Sequence, residues 1–349
     1  MARAFLRRFR VSPWIVGLAL VTPLVLMACS GDPYPQSTLH PTSDTSEAID
    51  ALYRNIFWWA VFVFVVVQSA LVYTIIRFRS RPGAPEARQI HGNTIVEIAW
   101  TLAPAAILVA IAVPTIRTIF TLKGDAPADA VQVEVVGHQW WWEYRYPQLG
   151  IVTANELHLP QGRPVALSIS SADVIHSFWA PKLSGKRDAM PGRTTHLAFT
   201  PDSVGTFHGQ CAEFCGASHA NMRLRVMVEA PADFDTWVAR QTAAPVAVDS
   251  SDALVLAGEA AFKKIRDPAA HSCIICHTMA GVSGGIAGPN LTHVGSRTTI
   301  AGGTLPSDSA GIAQWLRNPM AEKPGSLMPT IDLTDDEIAA LVAYLQSRK

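Results

Sequence analysis

Three patterns of apolar and polar residues follow one another along the chain. Residues 56–78, IFWWAVFVFVVVQSALVYTIIRF, hold only Gln68 and the terminal Arg77 as strongly polar groups. About 20 apolar residues suffice to cross a bilayer, so this run predicts a membrane-spanning helix. A second span is predicted over roughly 95–119, within TIVEIAWTLAPAAILVAIAVPTIRTIF. Pro104 and Pro114 lie inside it, which membrane helices tolerate better than soluble ones. From residue 131 the period shortens to two. VQVEVVGHQWWWEYRY, RPVALSIS, THLAFT and MRLRVMVEA alternate between Pro and Gly breaks, which predicts strands of a sandwich or barrel. A polar, Ala/Pro-rich linker, RQTAAPVAVDSSDA, follows. The chain closes on TDDEIAALVAYLQS. There Thr334 and Glu337 are set for a capping box, and Ile338, Leu341, Val342 and Leu345 recur at helical spacing. The organisation expected is a leader over 1–28, a two-helix hairpin over 50–120, an all-β domain over 124–238, a linker over 239–253 and a helical domain over 254–349.

The leader opens with Arg3, Arg7, Arg8 and Arg10, followed by an apolar core and small residues, the pattern of a secretory signal. Its end, LMAC, resembles a bacterial lipobox, which makes Cys29 the expected lipidation site. Met27 departs from the small residue usual there. Ordinary cleavage nearby and a retained third anchor are the alternatives. The loop between the spans, RFRSRPGAPEARQIHGN, carries Arg77, Arg79, Arg81 and Arg88 against Glu86, which places it in the cytoplasm. Everything after about residue 122 is then extracytoplasmic. Glu97 falls near the cytoplasmic end of the second span. An ionisable group there is either functional or snorkels to the interface.

Length, charge and cysteines narrow the chemistry. With 349 residues the chain has room for two or more folded units. Its formal net charge of zero argues against a nucleic-acid binder, which would show a basic face. The five cysteines cannot all pair with one another. Cys211 and Cys215 lie in GQCAEFCGASHANM with Glu213, His219 and Met222 close by. A disulfide would leave the histidine and methionine unexplained, and zinc sites seldom use methionine. Thiolates with imidazole and thioether select copper, and two thiolates four residues apart can bridge two ions. A further ligand is needed, and spacing does not choose among His158, His176, His196 and His208. Cys273 and Cys276 lie in CIICH, the attachment pattern of haem c, with His277 as proximal iron ligand. A thioredoxin-like dithiol or half a zinc site would not explain the adjoining histidine.

The pattern C-x-E-x-C-x-x-x-H-x-x-M resembles the copper A motif of cytochrome c oxidase subunit II. SSADVIHSFWAPKL, HGNTIVEIAWTLAP and GHQWWWEYRY extend the likeness over most of residues 50–230. The resemblance implies a cupredoxin-like Greek-key barrel on a transmembrane hairpin. It implies that His176 and His219 each ligate one copper of a dinuclear copper A centre, that Cys211 and Cys215 bridge both, and that Met222 and the backbone carbonyl of Glu213 complete the set. The Glu213 side chain would reach a magnesium shared with subunit I. Trp140 matches the tryptophan through which electrons enter, and Glu97 a glutamate at the mouth of a proton-uptake pathway. An interfacial aromatic role with Trp141 and Trp142 is the plainer reading of Trp140. KPGSLMPT resembles the methionine loop of class I cytochromes c, which implies Met328 as sixth iron ligand, with Met320 as the alternative. GPNL implies that Pro289 orients the proximal histidine. The whole resembles the fused subunit II of caa3-type oxidases, with an all-α class I cytochrome c domain at its end.

The function this implies is the electron-receiving subunit of a membrane-bound terminal oxidase. Electrons would pass from an external donor, cytochrome c or similar, through haem c and copper A to subunit I, which reduces O2 with proton pumping. Other membrane subunits are expected partners, and the expected location is the bacterial cell membrane, with both redox domains extracytoplasmic. The alternatives are a copper A-containing nitric oxide reductase subunit and a membrane-tethered electron carrier without catalytic partner.

Overall fold

A computed structural model describes residues 34–79, 82–83, 89, 91–123, 126–245, 247–267 and 271–349. The leader, Cys29 and, in the loop between the spans, Arg81, Glu86 and Arg88 lie outside the described residues.

Helix α1 runs Asp44–Arg77 and α2 Thr94–Leu122. The first begins well before its apolar run because Ser43 caps it. The Ser43 hydroxyl accepts from the Ser46 amide and the Ser46 hydroxyl from the Ser43 amide, both at 3.1 Å, a reciprocal box that satisfies two orphan donors. This added polar turn is buried under the β domain. Thr45 Oγ1 donates to Ala198 O at 3.1 Å, and Thr200 N donates to Asp44 Oδ1 at 2.8 Å. Farther along, Phe62, Phe64, Val66, Leu108 and Val109 stand exposed. Apolar faces this long are stable in lipid and not in water. Both helices are long and apolar enough to cross a membrane. Asn93 caps the second, its side chain accepting from the Ile95 and Val96 amides, and Glu97 sits in the first turn.

The β domain is a sandwich of two five-stranded sheets. One has the order β3 (Ile151–Ala154), β2 (Trp141–Tyr146), β1 (Val131–His138), β5 (Val165–Ser171), β8 (Thr195–Phe199). The other runs β4 (Glu156–Pro160), β10 (Arg223–Glu229), β9 (Gly205–Cys211), β6 (His176–Trp179), β7 (Arg187–Ala189). Strands β1 and β5 pair in parallel, as do β4 and β10, and the other pairs are antiparallel. The period-two alternation puts Val133, Val135, Trp142, Tyr144, Leu167 and Ile169 into the core. This is the cupredoxin-like fold expected. Helix α3 (Pro231–Thr242) seals one end, with Trp237 stacked on His158 at 4.4 Å. The linker expected from residue 239 therefore starts inside the last turn of that helix.

The C-terminal domain holds α4 (Ala253–Lys263), the short α5 (Cys273–Cys276), α6 (Ser309–Arg317), α7 (Pro319–Glu322) and α8 (Asp335–Ser347). Asp252 caps α4, and the Thr334–Glu337 box caps α8. Ile338, Leu341, Val342 and Leu345 are buried as their spacing predicts. The first and last helices cross where Gly258 meets the carbonyl of Ala340, so close that a side-chain carbon there would collide with it.

The two extramembrane domains touch. Glu156, only 2% exposed at the start of β4, accepts from the amides of Thr298 and Thr299 at 2.9 and 2.8 Å, and from both their hydroxyls. Arg223 N donates to Gly302 O at 2.9 Å, and Ser218 Oγ to Pro324 O at 2.6 Å.

Candidate copper and haem sites

The sulphur-rich cluster forms where β9 ends beside β6. Phe178 pairs with Cys211 across these strands, so His176, two residues earlier on the same face, reaches the cluster. His208 lies three residues before Cys211 on the same strand, an odd offset that sends it to the opposite face. His196 lies beside Ser168 in the other sheet, and His158 stacks on Trp237. The sheet register thus makes the choice that spacing left open. Cys211 is the last residue of a strand and not part of the loop that follows. A turn of 3-10 helix at His219–Asn221 then brings His219 and Met222 back.

The donor atoms converge. Nitrogen and sulphur atoms of His176, Cys211 and Cys215 all lie within 4.8 Å of one another. Cys211 Sγ is 3.8 Å from Cys215 Sγ, 3.9 Å from His176 Nδ1 and 3.3 Å from Glu213 O. Cys215 Sγ is 3.5 Å from His219 Nδ1 and 3.9 Å from Met222 Sδ. Both cysteines are free thiols, since a disulfide needs sulphurs near 2 Å. Two thiolates, two imidazoles, a thioether and a carbonyl are a donor set that suits copper, and the geometry fits an ion pair held between the sulphurs.

The surroundings prepare these donors. His176 Nε2 is bonded to Asp173 Oδ1 at 2.7 Å, which leaves Nδ1 for the sulphurs. Sequence reading missed Asp173, although a carboxylate three residues before a ligand histidine is a usable signal. Burial pushes the His176 imidazole down, but its bonds to Asp173 and Cys211 outweigh this and raise it. The hydrogen bond from the Cys215 thiol pulls Cys211 down to about 4, against its burial and with help from His176. The same bond and burial push Cys215 up. The two thiols thus share one proton across their contact, which a bound metal would displace. The Glu213 side chain points away from the cluster, 46% exposed and 3.5 Å from Lys186 Nζ.

Trp140 lies over this cluster. It is 7% exposed, and its indole N–H donates to Cys215 O at 2.9 Å. Gln139 Nε2 donates to the same carbonyl at 2.8 Å. Gly216, at φ +115°, lets the indole approach, because a side-chain carbon there would sit 3.1 Å from Trp140 Cζ2. Trp141 turns away and stacks on His138 at 4.1 Å, and Trp142 is buried edge-on against His176.

Trp140, like Trp141, also lines a cavity in the C-terminal domain. Its walls include Cys273, Cys276, His277, Pro289, Leu316 and Met328, with Gln139 and Trp140 at one side. His277 Nδ1 donates to Pro289 O at 2.8 Å, which frees Nε2 to face a metal. Burial holds this imidazole below its ordinary pKa, although the Pro289 bond works the other way, so the ring is neutral as an iron ligand must be. Gly288 packs on the ring, where an added carbon would come within 2.7 Å of Cε1. Met328 lines the cavity. Met320 is 44% exposed, and Met279 is buried elsewhere with Tyr344 Oη donating to its sulphur. A paired thiol set, a tethered neutral imidazole and a thioether around one apolar cavity fit haem c.

A membrane-anchored chain that sets a soft-metal cluster beside a haem-sized cavity is an electron-transfer protein. Its relatives make the class specific. Family models for the transmembrane domain of cytochrome c oxidase subunit II, for its periplasmic domain and for cytochrome c match residues 35–118, 150–230 and 255–349 in that order. The chain is similar to cytochrome c oxidase subunit 2 of Alkalihalophilus pseudofirmus, 36% identical over 294 residues, covering 82% of this chain and 83% of the relative. Similarity to the Bacillus subtilis cytochrome c oxidase subunit 2 is 33% over 360 residues, 96% of this chain and 97% of the relative. Quinol oxidase subunit 2 of the same organism is 33% identical over 246 residues, 68% of this chain and 75% of the relative. The solved periplasmic domain of cytochrome oxidase subunit II from Bradyrhizobium japonicum matches at 30% identity and TM-score 0.32, over 33% of this chain and 95% of that one. The chain belongs to the cytochrome c oxidase subunit 2 family, fused to a cytochrome c domain. It is the subunit through which electrons reach a membrane-bound terminal oxidase, and its catalytic partner is subunit I. The domains imply copper A and haem c, and the residues present can hold both.

Proposed function

We propose that this subunit takes single electrons from an external cytochrome-type donor at its haem domain and passes them through Trp140 to the copper cluster and on to subunit I. Bound copper A and haem c each supply one-electron exchange. His176 and His219 would hold one copper ion each, Cys211 and Cys215 would be shared between the two ions, and Met222 and the Glu213 carbonyl would complete the set. Cys273 and Cys276 would anchor the haem covalently, and His277 and Met328 would serve as its iron ligands. Glu213 uses its carbonyl inward and its carboxylate outward, an arrangement suited to a magnesium shared with subunit I. Glu97, in the first turn of the second span, serves at the mouth of a proton-uptake path into that subunit. The chain crosses the bacterial inner membrane twice, with both redox domains outside, and Cys29 carries a lipid. The thiolate cluster favours a donor that delivers electrons to metal over a quinol delivered from the membrane.

The observation that carries this reading is the position of Trp140. Trp140 lines the haem cavity, its ring packs on Gly325 of the haem domain, and its indole N–H donates to the carbonyl of Cys215. Trp140→Phe keeps an aromatic ring and removes that N–H. In the assembled oxidase, stopped-flow reduction by an external cytochrome c should still reduce the haem at its normal rate, while copper reduction lags. Copper reduction at the wild-type rate would remove Trp140 from the path.

A further inference from the structure

Two cations in the haem cavity have no anionic partner within ion-pair distance among the described residues. Lys323 is 4% exposed and lines the cavity. Its ammonium donates to the carbonyl of Trp140 and, at 3.0 Å, to that of Ala301. Those two carbonyls belong to different domains. Arg297 lines the same cavity, with Nη2 donating to Asn290 O at 2.5 Å and a buried Nε that has no hydrogen-bond partner. Burial pushes Lys323 down to about 7 and Arg297 down to about 10. Glu156 is the anion that Arg297 feels, and Cys215 the one that Lys323 feels, both outside ion-pair distance; buried charges so weakly compensated are costly, and neutral carbonyls only partly offset that cost.

The group this cavity suits carries two carboxylates of its own, the haem propionates. We propose that Lys323 pairs with a haem propionate while holding the Trp140 carbonyl, so that one ammonium fixes the propionate edge of the haem against the copper domain. Lys323 is then a positioning residue for electron transfer between the domains, and Arg297 is the cation available to the second carboxylate. The fold supports this placement. Lys323 lies on the chain that leads to Met328, and Gly302 packs so closely on the lysine and on Trp140 O that a side chain there would collide with both. Gly325 likewise lies against the Trp140 ring, where an added carbon would come within 2.9 Å of Cη2. The inference rests on the haem reading of the cavity.

The test uses the assembled oxidase with Lys323→Gln, which keeps a donor for Trp140 O and removes the charge, and Lys323→Arg, which keeps the charge. A redox titration followed at the haem α-band reads the midpoint potential, and reduced-minus-oxidised infrared difference spectra read the propionate carboxylate bands. Loss of a buried positive charge disfavours the added electron. The potential should therefore fall in Lys323→Gln and be largely retained in Lys323→Arg, with the propionate bands shifted only in the former. A lysine that merely joins the domains would leave both readouts unchanged, and that result overturns the proposal. If Lys323→Gln fails to assemble, Lys323→Met is measured instead, with the same two outcomes deciding. Absence of covalently bound haem from the wild-type chain would defeat the haem reading itself. An unchanged potential in a haem-loaded variant defeats only the role of Lys323.

Discussion

At the copper cluster the donors come from adjoining strand ends and one short loop, and they already touch. Around the haem cavity they come from separate segments, Cys273, Cys276 and His277 from one and Met328 from another. The copper domain has a complete core of its own, built from both sheets and including Cys211, Cys215 and Met222 as ordinary buried residues. The core of the haem domain is a thinner cluster, and Leu316, Ile312 and Val294 belong both to it and to the cavity wall. On this reading the copper domain is expected to fold without its metal. The haem domain is expected to need its cofactor to complete the interior, since cavity walls lose contacts on their open side.

The largest expected effect tests that contrast directly. The double variant Cys273→Ala/Cys276→Ala removes the covalent anchor and leaves the copper domain untouched. The whole stability of the haem domain is then at stake, on the order of 5 kcal/mol or more for a domain of this size. Limited proteolysis should cut the C-terminal domain of this variant rapidly and spare the β domain. Stripping copper from the wild-type chain with a chelator should leave both domains resistant. A haem-free C-terminal domain as resistant as the wild type would show that its core is complete without the cofactor.

A smaller effect concerns the seam between the regions. Glu156→Ala removes the acceptor of two amides and two hydroxyls from Thr298 and Thr299. Each donor left buried and unpaired costs about 1–3 kcal/mol. The haem domain should then dwell less on Trp140. Reduction of the haem by an external donor should be unchanged and transfer from haem to copper slower. Equal transfer in both proteins would mean that the two domains stay docked without Glu156.

The difference between the regions also explains what could be read from sequence. The spans were legible because lipid demands long apolar runs, and the first helix came out longer only because its polar cap at Ser43 belongs to the interface with the β domain. The copper cluster was legible because most of its donors crowd between Cys211 and Met222. His176 was not separable by residue type from three other histidines until the pairing of Phe178 with Cys211 set the register. The resemblance favoured Met328 over Met320 as haem ligand, and the fold puts Met328 on the cavity wall and leaves Met320 exposed. Glu156, Arg297 and Lys323 carried no local signal at all. Their partners lie on segments brought together only by folding, and an isolated charge in a sequence reads as a solvated one.

The smallest effect sharpens the comparison from the copper side. If that site is preassembled, the groups behind its ligands should tune affinity without deciding the fold. Asp173 is such a group: it bonds His176 Nε2 and accepts from the amides of Gln139 and Val174, both at 2.6 Å. Burial pushes its carboxyl up, but the bonds from His176, Val174 and Gln139 prevail and hold it below its ordinary pKa. A carboxyl lowered on folding stabilises the protein above its unfolded pKa, and that contribution is lost as pH falls through the folded value. Asp173→Asn should therefore make the copper-free domain less sensitive to acid at the low end of the carboxylate range, read by thermal melting across pH. Copper affinity should fall by about 10–100-fold, the usual cost of removing a partner behind a ligand histidine, read by competition with a chelator. The near-infrared band of the loaded pair should survive at saturating copper. Loss of that band even at saturation would mean that Asp173 does more than orient His176, and the cluster would then be less preassembled than its touching donors imply.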